Sequence, residues 1–472
     1  MLFSSVSFLF YFFTLLLAIY FLIPKKYREA RNGVLLLFSL AFYAFGGVKY
    51  LFLMLLEIAF SYISGLLCNN QNRYIKNFGL VFGLLTGLGM LAYYKYLGFF
   101  SEIANSIAPS VPILNIVLPI GISFFTFQSL SYVIDVYRGK TAVQKNPLHL
   151  ALYVSLFPQL IAGPIVRYSD IATEITQRDE TLDEFYSGTL RFMMGFGKKM
   201  ILANTAGEIA DAVFAVPQAD LSLALSWVGA LAYTAQIYFD FSAYSDMAIG
   251  LGRMFGFHFL ENFNYPYIAK SVTEFWRRWH ISLSSWFRDY LYIPLGGNRC
   301  SPIRHIFNIC VVWVATGFWH GASWNFIAWG AYFAILLLIE KYLLKNVLEK
   351  IPSIIRHIYT MLLVIISWVI FRASDMTSAI TYLGTMFGTR DAPLMSGNVI
   401  YYIKQFLPEW ILFFVCALPV AQWLKLYLSA REDKLSQKLC EIGPAIFALI
   451  VFGIGYIRLS VGSFNPFIYF RF

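Results

Sequence analysis

Apolar runs separated by short polar or basic loops follow one another along most of the chain. A helix that crosses a bilayer needs about 20 mostly apolar residues. The pattern therefore predicts a series of spanning helices. The first five runs lie near 8–23, 33–47, 50–68, 78–100 and 112–136.

The loops between these runs alternate in charge. Basic residues follow the first, third and fifth runs: Lys25, Lys26, Arg73, Lys76, Arg138 and Lys140. The loop at 101–111, after the fourth run, contains no lysine or arginine. Cytoplasmic loops are enriched in basic residues, so the alternation predicts a multi-pass protein of the cell membrane whose N-terminus lies outside. We expect a cytoplasmic C-terminus.

The remaining apolar runs are interrupted by glycine, proline and charged residues. They lie near 148–166, 185–215, 222–251, 305–344, 354–372, 376–388, 408–428 and 442–458. The run at 305–344 exceeds one span and predicts two segments joined near 317–323, and 148–166 predicts a re-entrant segment. Non-helical backbone at membrane depth is tolerated only inside protein or along a watery cavity. The breaks therefore indicate an internal chamber within a single domain, residues 1–472.

Composition supports a membrane protein and excludes several other classes. The chain is 59% hydrophobic and 13% charged, against about 25% charged in a soluble domain. Its five cysteines are scattered and include no CxxC pair, which argues against a disulfide scaffold and a cysteine-built zinc or redox site. The net charge of +10 lies in loops beside apolar runs, which favours contact with anionic lipid over nucleic acid.

His320 is the first candidate for chemistry. It lies within residues 311–325, where small or apolar residues dominate on both sides. A neutral imidazole accepts a proton near pH 7, and the neighbouring Gly317 and Gly321 leave room for a ligand. The alternative is a structural histidine that bonds a backbone carbonyl or a serine or asparagine side chain.

Residues 274–290 form a second candidate region, rich in tryptophan, tyrosine and arginine. That composition is typical of a helix at the membrane interface. Four residues repeat at helical spacing: Phe275, Trp279, Ser282 and Trp286. Glu274 and Arg278 are spaced to form an i,i+4 ion pair, and His280 lies on a side of the predicted helix different from that of Trp279.

Two further groups of polar residues lie in apolar runs. Pro119 and Gly121 predict a helix break before Ser123 and its polar neighbours. Asp240 and Asp246, six residues apart, face different sides of a helix, so pairing with lysine or arginine is favoured over a shared catalytic role. The sequence has no GxxxxGK[ST], GxSxG or HExxH motif, which argues against phosphoryl transfer, serine hydrolysis and metalloprotease chemistry.

Four stretches resemble the membrane-bound O-acyltransferase family in matching order. They are 119–124, 157–168, 275–298 and 317–324, within a motif core of about 119–330. The apolar runs predict about eleven transmembrane helices, give or take two, with re-entrant and interfacial helices besides. The resemblance implies an all-α fold of many helices around a central funnel or tunnel. The family's nearly invariant histidine corresponds to His320, and the second histidine of the bacterial branch corresponds to His280.

The resemblance implies transfer of an acetyl group from a cytoplasmic thioester to a hydroxyl, for O-acetylation of an exported, alginate-like polysaccharide. His320 would act as general base and His280 would orient the donor or stabilise negative charge. Expected substrate-binding residues are Trp319, Asn325, Arg277, Arg278, Arg288, Asp289 and Tyr292. Acetyl-CoA or another acyl thioester is the expected donor substrate, with no tightly bound cofactor and no metal. An extracytoplasmic protein is expected to receive the acetyl group and pass it to the polymer.

Two other functions stay open. A teichoic-acid D-alanyl transferase belongs to the same family. A transporter for an acyl carrier or glycan would also use broken helices and intramembrane polar groups, although transporters commonly show inverted repeats and none is evident here.

Overall fold

The computed structural model describes residues 1–462 and 467–468, and these residues form helices and loops with no β-strand among them. They divide into two compact units. The N-terminal unit contains Met1–Phe192 and Met247–Leu260, and the C-terminal unit contains Met193–Asp246 and Glu261–Phe472. The all-helical class is as predicted, whereas the single domain stays a prediction.

The N-terminal unit holds the first five predicted spans. Its helices are α1 (Phe13–Leu22), α2 (Arg28–Ala44), α3 (Val48–Cys68), α4 (Arg73–Leu91), α5 (Leu97–Ile107), α6 (Ile122–Tyr137), α7 (Pro147–Ser155), α8 (Phe157–Leu160), α9 (Tyr168–Thr176) and the first part of α10 (Leu182–Gly197). A π-helical segment, Ser7–Phe12, precedes α1, and another, Ala92–Tyr96, joins α4 to α5. The predicted break before α6 is present, because Gly121 adopts a φ of 77° there.

Small residues allow α4 to pack closely in this unit. Gly79, Gly83 and Gly87 recur every four residues, on one face of α4. A Cβ added at Gly79 would lie 2.6 Å from the Cβ of Leu67, and one at Gly83 would lie 2.9 Å from the Oγ of Ser64. Glycine at these positions therefore lets the helix backbones approach, as in other membrane helix pairs.

The segment predicted to break at 148–166 is broken in the structure. It forms two short helices, α7 and α8, and the backbone after Leu160 is non-helical and buried up to Val166. Pro158 sits in the first turn of α8, where its missing N–H costs no helical hydrogen bond. The irregular backbone lies inside protein, which is where non-helical backbone is tolerated at membrane depth.

The C-terminal unit contains the rest of the helices. They are α11 (Asn204–Phe214), the first part of α12 (Leu223–Met254), α13 (Val272–Arg278), α14 (Ile281–Phe287), α15 (Pro302–His320), α16 (Trp324–Ile339), α17 (Lys345–Lys350), α18 (Ser353–Arg372), α19 (Met376–Met386), α20 (Gly397–Gln405), α21 (Leu407–Ala417), α22 (Val420–Ser429) and α23 (Lys434–Ser460). Three π-helical segments, Lys198–Ala203, Arg288–Tyr292 and Glu340–Leu344, continue α10, α14 and α16.

Helices α15 and α16 form the two-segment hairpin predicted for 305–344. α15 ends at His320 and α16 begins at Trp324. The helices cross at two glycines: a Cβ at Gly317 would lie 2.2 Å from the backbone oxygen of Phe326, and one at Gly330 would lie 2.3 Å from that of Trp313. No side chain fits at this crossing without a shift of the backbone, so the glycines let α15 and α16 pack closely one turn before His320.

The predicted count of about eleven spans is not confirmed. In the described part of the chain, five helices are long and apolar enough to cross a membrane: Val48–Cys68, Arg73–Ile107, Trp324–Lys350, Ser353–Arg372 and Lys434–Ser460. A sixth is possible if α20 and α21, bent by 67°, form one span. Other predicted spans are short or polar. α12 has 32 residues, but it carries Gln236, Asp240 and Asp246, which a helix buried in protein tolerates better than one facing lipid.

Candidate active site

The chain turns sharply at His280, between α13 and α14. The sequence predicts an interfacial helix in residues 274–290, and the structure differs, because two short helices form there with a break at His280. His280 has φ 45° and ψ 54°, in the left-handed region, and its side chain is 1% exposed. A non-glycine residue in this conformation is uncommon, and such residues cluster at functional sites.

Asn262 holds this turn. Its backbone oxygen accepts a hydrogen bond from the N–H of Ile281 at 3.0 Å. Its side-chain Oδ1 accepts from the N–H of Ser282 at 3.3 Å and from the Ser282 hydroxyl at 2.9 Å, and its Nδ2 donates to Ser245 at 3.1 Å. These contacts satisfy N–H groups in the first turn of α14. No sequence pattern marks Asn262, and sequence reasoning missed it.

Glu340 anchors the start of α13 from the far end of α16. Its buried carboxylate accepts hydrogen bonds from the N–H of Val272 at 2.7 Å and the N–H of Thr273 at 3.0 Å. A negative charge at a helix N-terminus is stabilising. Sequence reasoning missed this contact too, although an acid within an apolar run was the available signal. The predicted Glu274–Arg278 ion pair is present, at 2.9 Å.

His320 lies among aromatic rings at the end of α15. Its side chain is 5% exposed. The ring centroids of Trp329 and Phe371 lie 5.0 and 5.2 Å from its imidazole, both nearly perpendicular to it. These rings shield the imidazole from bulk water on those sides.

Trp319 contacts both candidate histidines. Its indole lies 5.8 Å from the ring of His280 and 5.0 Å from that of His320, measured between centroids. Phe241 contacts His280 from α12, at 4.6 Å. The structure thus brings together three of the predicted site residues, although they come from the α13–α14 turn and the end of α15.

Five other predicted substrate-binding positions lie along α13 and the π-helical segment after α14. Arg277 is exposed, and Arg278 forms the pair described above. The Nε of Arg288 lies 2.7 Å from the carboxylate of Asp289. The hydroxyl of Tyr292 lies 3.1 Å from Nε2 of His305. None of these five residues lines the cavity described next, within the part of the chain that the structure describes.

A cavity of about 650 Å³ lies in the C-terminal unit. Phe371 lines it and also contacts His320. Asn325, another predicted site residue, lines it too. Its Nδ2 donates to the backbone oxygen of Ala373 at 2.7 Å, and its Oδ1 accepts from the Ser323 hydroxyl at 2.6 Å. Phe371 therefore lies between the cavity and His320 and belongs to the lining of both.

The two acids of α12 are paired with lysines. Asp240 lies 2.7 Å from the Nζ of Lys199, with both side chains buried, and Asp246 lies 2.5 Å from that of Lys198. This matches the structural pairing favoured from the sequence. These carboxylates do not form a shared acid/base pair.

The described residues form an all-helical structure with several helices that are long and apolar enough to cross a membrane, as in a multi-pass membrane protein. The sequence model of the membrane-bound O-acyltransferase family matches residues 122–377. The chain belongs to this family, and it is therefore an O-acyltransferase.

Individual relatives extend the match beyond the family core. The chain is 40% identical to the probable alginate O-acetylase AlgI of Azotobacter vinelandii, over 100% of both proteins. It is 33% identical to the peptidoglycan O-acetyltransferase of Helicobacter pylori, over 93% of this chain and 91% of that protein. The teichoic acid D-alanyltransferase of Bacillus subtilis is 31% identical over 48% of this chain and 60% of its own length.

Proposed function

We propose that this enzyme transfers acetyl groups from a thioester donor to a hydroxyl acceptor, for O-acetylation of an exported, alginate-like polysaccharide. The end-to-end similarity to an alginate O-acetylase supports an acetyl group and a polysaccharide. The D-alanyl transferase similarity covers about half of the chain, so D-alanyl transfer is the weaker alternative. The transporter alternative has no support from the relatives.

The observation that carries the mechanism is the pair of buried imidazoles that both contact the ring of Trp319. His320 takes the proton of the acceptor hydroxyl while the hydroxyl oxygen attacks the thioester carbonyl. The new C–O bond forms, the C–S bond breaks, and the proton passes from His320 to the leaving thiolate. General base catalysis contributes about 10²–10⁴-fold to such a step. His280 orients the donor or stabilises the negative charge that develops on the carbonyl oxygen.

The donor side of the reaction is assigned to the basic surface of α13 and the following π-helical segment. Arg277, Arg278 and Arg288 attract an anionic acyl thioester such as acetyl-CoA by long-range electrostatics. Asp289 orients Arg288 through their ion pair, and Tyr292 is held by His305. Trp319 and Asn325 contact substrate nearer the reacting atoms.

The enzyme is placed in the cell membrane with its N-terminus outside, in line with the alternation of basic loops. An extracytoplasmic protein that carries the acetyl group to the polymer is a proposed partner. The predicted cytoplasmic C-terminus lies outside the described residues.

Mass analysis of the exopolysaccharide tests this function. His320→Ala is expected to lower acetylation by at least about 100-fold, because the general base is lost, while the protein still accumulates in the membrane. His258→Ala is the matched control, since His258 is half-exposed and pairs with Glu174 at 2.8 Å. Wild-type acetylation by His320→Ala, at equal protein levels, would contradict the proposal.

A further inference from the structure

One buried carboxylate in the N-terminal unit is surrounded by three arginines. Arg28 forms an ion pair with Glu180, and Nη1 of Arg31 lies 3.1 Å from the same carboxylate. The Nε of Arg178 lies 3.5 Å from it. The side chains of Arg31, Arg178 and Glu180 are almost wholly buried, whereas that of Arg28 keeps 17% of its surface exposed. These four residues are called here the Arg28 cluster.

The Arg28 cluster carries more positive than negative charge. Three guanidiniums and one carboxylate leave a net charge of +2, and no second carboxylate pairs with these arginines among the described residues. Two neighbouring acids are paired elsewhere, Glu29 with His149 and Glu174 with His258, each at 2.8 Å. Asp179 is exposed to solvent, where its charge is screened. Since a buried charge is costly unless it is paired, the cluster favours an anion at its exposed edge.

Three basic side chains form that exposed edge. Lys25 and Lys26 are both exposed, and the Nζ of Lys25 donates to the backbone oxygen of Glu180 at 2.8 Å, which holds this lysine beside the cluster. Arg28 uses Nη1 for the Glu180 carboxylate and Nη2 for the backbone oxygen of Arg178. In the part of the chain that the structure describes, its Nε makes no hydrogen bond, so this donor is available to a ligand. Phosphate oxygens are strong acceptors for such charged donors.

The basic edge lies where an apolar helix ends. The apolar stretch Ser7–Leu22 stops three residues before Lys25. Phe21, Leu22 and Tyr27 are 40%, 80% and 54% exposed, so apolar surface adjoins the basic side chains. Tyrosine is enriched at the headgroup level of a membrane, and basic clusters beside membrane helices bind anionic lipids. A ligand with both a phosphate and hydrocarbon chains matches the two surfaces, whereas a free phosphate matches only one.

We propose that the Arg28 cluster binds the headgroup phosphate of an anionic phospholipid. Arg28, Lys25 and Lys26 contact the phosphate, and the acyl chains pack on Phe21 and Leu22. The lipid supplies the negative charge that the cluster lacks, so its binding stabilises the folded protein. The loop after α1 is assigned to the cytoplasmic side, which places this lipid in the cytoplasmic leaflet. The inference concerns a lipid site and does not depend on the identity of the acyl donor or acceptor.

Native mass spectrometry of the purified full-length protein in a neutral detergent measures lipid binding, with phosphatidylglycerol and phosphatidylcholine as probes. The wild type is expected to retain phosphatidylglycerol in preference to phosphatidylcholine. Lys25→Gln/Lys26→Gln should lower the affinity for phosphatidylglycerol about 5-fold for each lysine lost. Arg73→Gln/Lys76→Gln is the matched control, because it removes the same charge at the start of α4, on the same predicted side of the membrane, and it should keep most of the affinity.

Two outcomes of the binding experiment would overturn the site. An equal loss of affinity in the two double variants would show diffuse attraction to basic loops rather than a site. Unchanged binding by Lys25→Gln/Lys26→Gln would remove these lysines from any contact with lipid.

Thermal unfolding tests whether the lipid compensates the charge of the cluster. Phosphatidylglycerol should raise the Tm of the wild type, and it should raise the Tm of Arg28→Gln by less, with Arg28→Lys intermediate. Because Arg28→Gln also loses its ion pair with Glu180, each variant is compared with its own Tm in the absence of lipid. An equal rise in Tm with phosphatidylcholine, or with inorganic phosphate, would contradict an anionic phospholipid as the ligand.

Discussion

The side-chain oxygen of Asn262 accepts two hydrogen bonds from Ser282, one from its N–H at 3.3 Å and one from its hydroxyl at 2.9 Å. Ser282 lies two residues after His280, in the first turn of α14. Asn262 also accepts from the N–H of Ile281 through its backbone. A single buried asparagine therefore ties down the chain immediately after the left-handed residue, and the direction of the His280 side chain depends on it.

Asn262→Ala is expected to lower kcat for acetyl transfer and to destabilise the protein. The substitution removes both bonds to Ser282 and leaves buried donors without their partner, which costs about 1–3 kcal/mol. Ser245→Ala is the control, because it removes only the hydrogen bond that Asn262 donates through Nδ2. Transfer kinetics and thermal unfolding of both variants make the comparison. An Asn262→Ala enzyme with normal kcat would show that the turn does not depend on this side chain.

The conformation of His280 and its chemistry can be tested separately. Glycine adopts positive φ without the Cβ clash that other residues meet. His280→Gly should therefore be more stable than His280→Ala, by about 1 kcal/mol, although both variants lose the imidazole. Thermal unfolding measures the stability difference, and acetyl transfer measures the chemistry.

Equal stability of His280→Gly and His280→Ala would show that the left-handed backbone at position 280 does not disfavour a residue with a Cβ. Activity near that of the wild type in either variant would remove His280 from the proposed mechanism. Stability and activity are measured independently, so the experiment can reject the backbone strain without rejecting the chemical role of His280, and the reverse.

The sequence predicts those parts of the site that show a pattern within a short stretch of the chain. The break at Gly317–Ser323 follows from the length of an apolar run, and His320 stands out because an ionisable group there is costly. The turn at His280 was not found, because the aromatic spacing on both sides fits a helix. The bonds from Asn262 override that local preference, and such long-range contacts leave no periodic signal in the chain.

The cavity and the number of spans also depend on contacts between distant parts of the chain, which local sequence patterns do not reveal. Asp211 and Arg372 are 161 residues apart, and no short motif links an acid in one helix to an arginine in another. The count of about eleven spans is not confirmed, and hydropathy alone cannot tell a helix that faces lipid from one surrounded by protein. Asp240 and Lys199, a buried pair at 2.7 Å, illustrate how polar groups are accommodated in the protein interior.

Glu180 is expected to make stability fall in acid. Burial alone would raise the pKa of its carboxyl, but the hydrogen bonds from Tyr20 and Arg28 and the charges of Arg28 and Arg178 lower the pKa below its ordinary value. A carboxyl with a depressed pKa in the folded state stabilises the protein above its unfolded pKa, and this contribution is lost as the pH falls through the folded pKa.

Thermal unfolding of the wild type and Glu180→Gln across the acidic range tests this expectation. The wild type should have the higher Tm near neutral pH. The difference in Tm between the wild type and Glu180→Gln should narrow as the pH falls below the ordinary pKa range of a glutamate. Glu349→Gln serves as a control, because Glu349 is exposed at the end of α17. A gap that does not change with pH would mean that ionisation of Glu180 contributes nothing to folding.

The glycine crossing of α15 and α16 gives the most direct test of how His320 is placed. In Gly317→Ala the new Cβ would lie 2.2 Å from the backbone oxygen of Phe326, so the two helices must separate. Such overpacking costs about 1–3 kcal/mol, and it shifts the end of α15, where His320 lies. Both Tm and kcat should fall. Gly453→Ala is the matched control, since a Cβ at Gly453 within α23 meets nothing within 4 Å, and alanine favours a helix over glycine by about 1 kcal/mol. That control should keep full activity and gain slightly in stability. If Gly317→Ala behaves like Gly453→Ala, close contact at the crossing is not what positions the histidine.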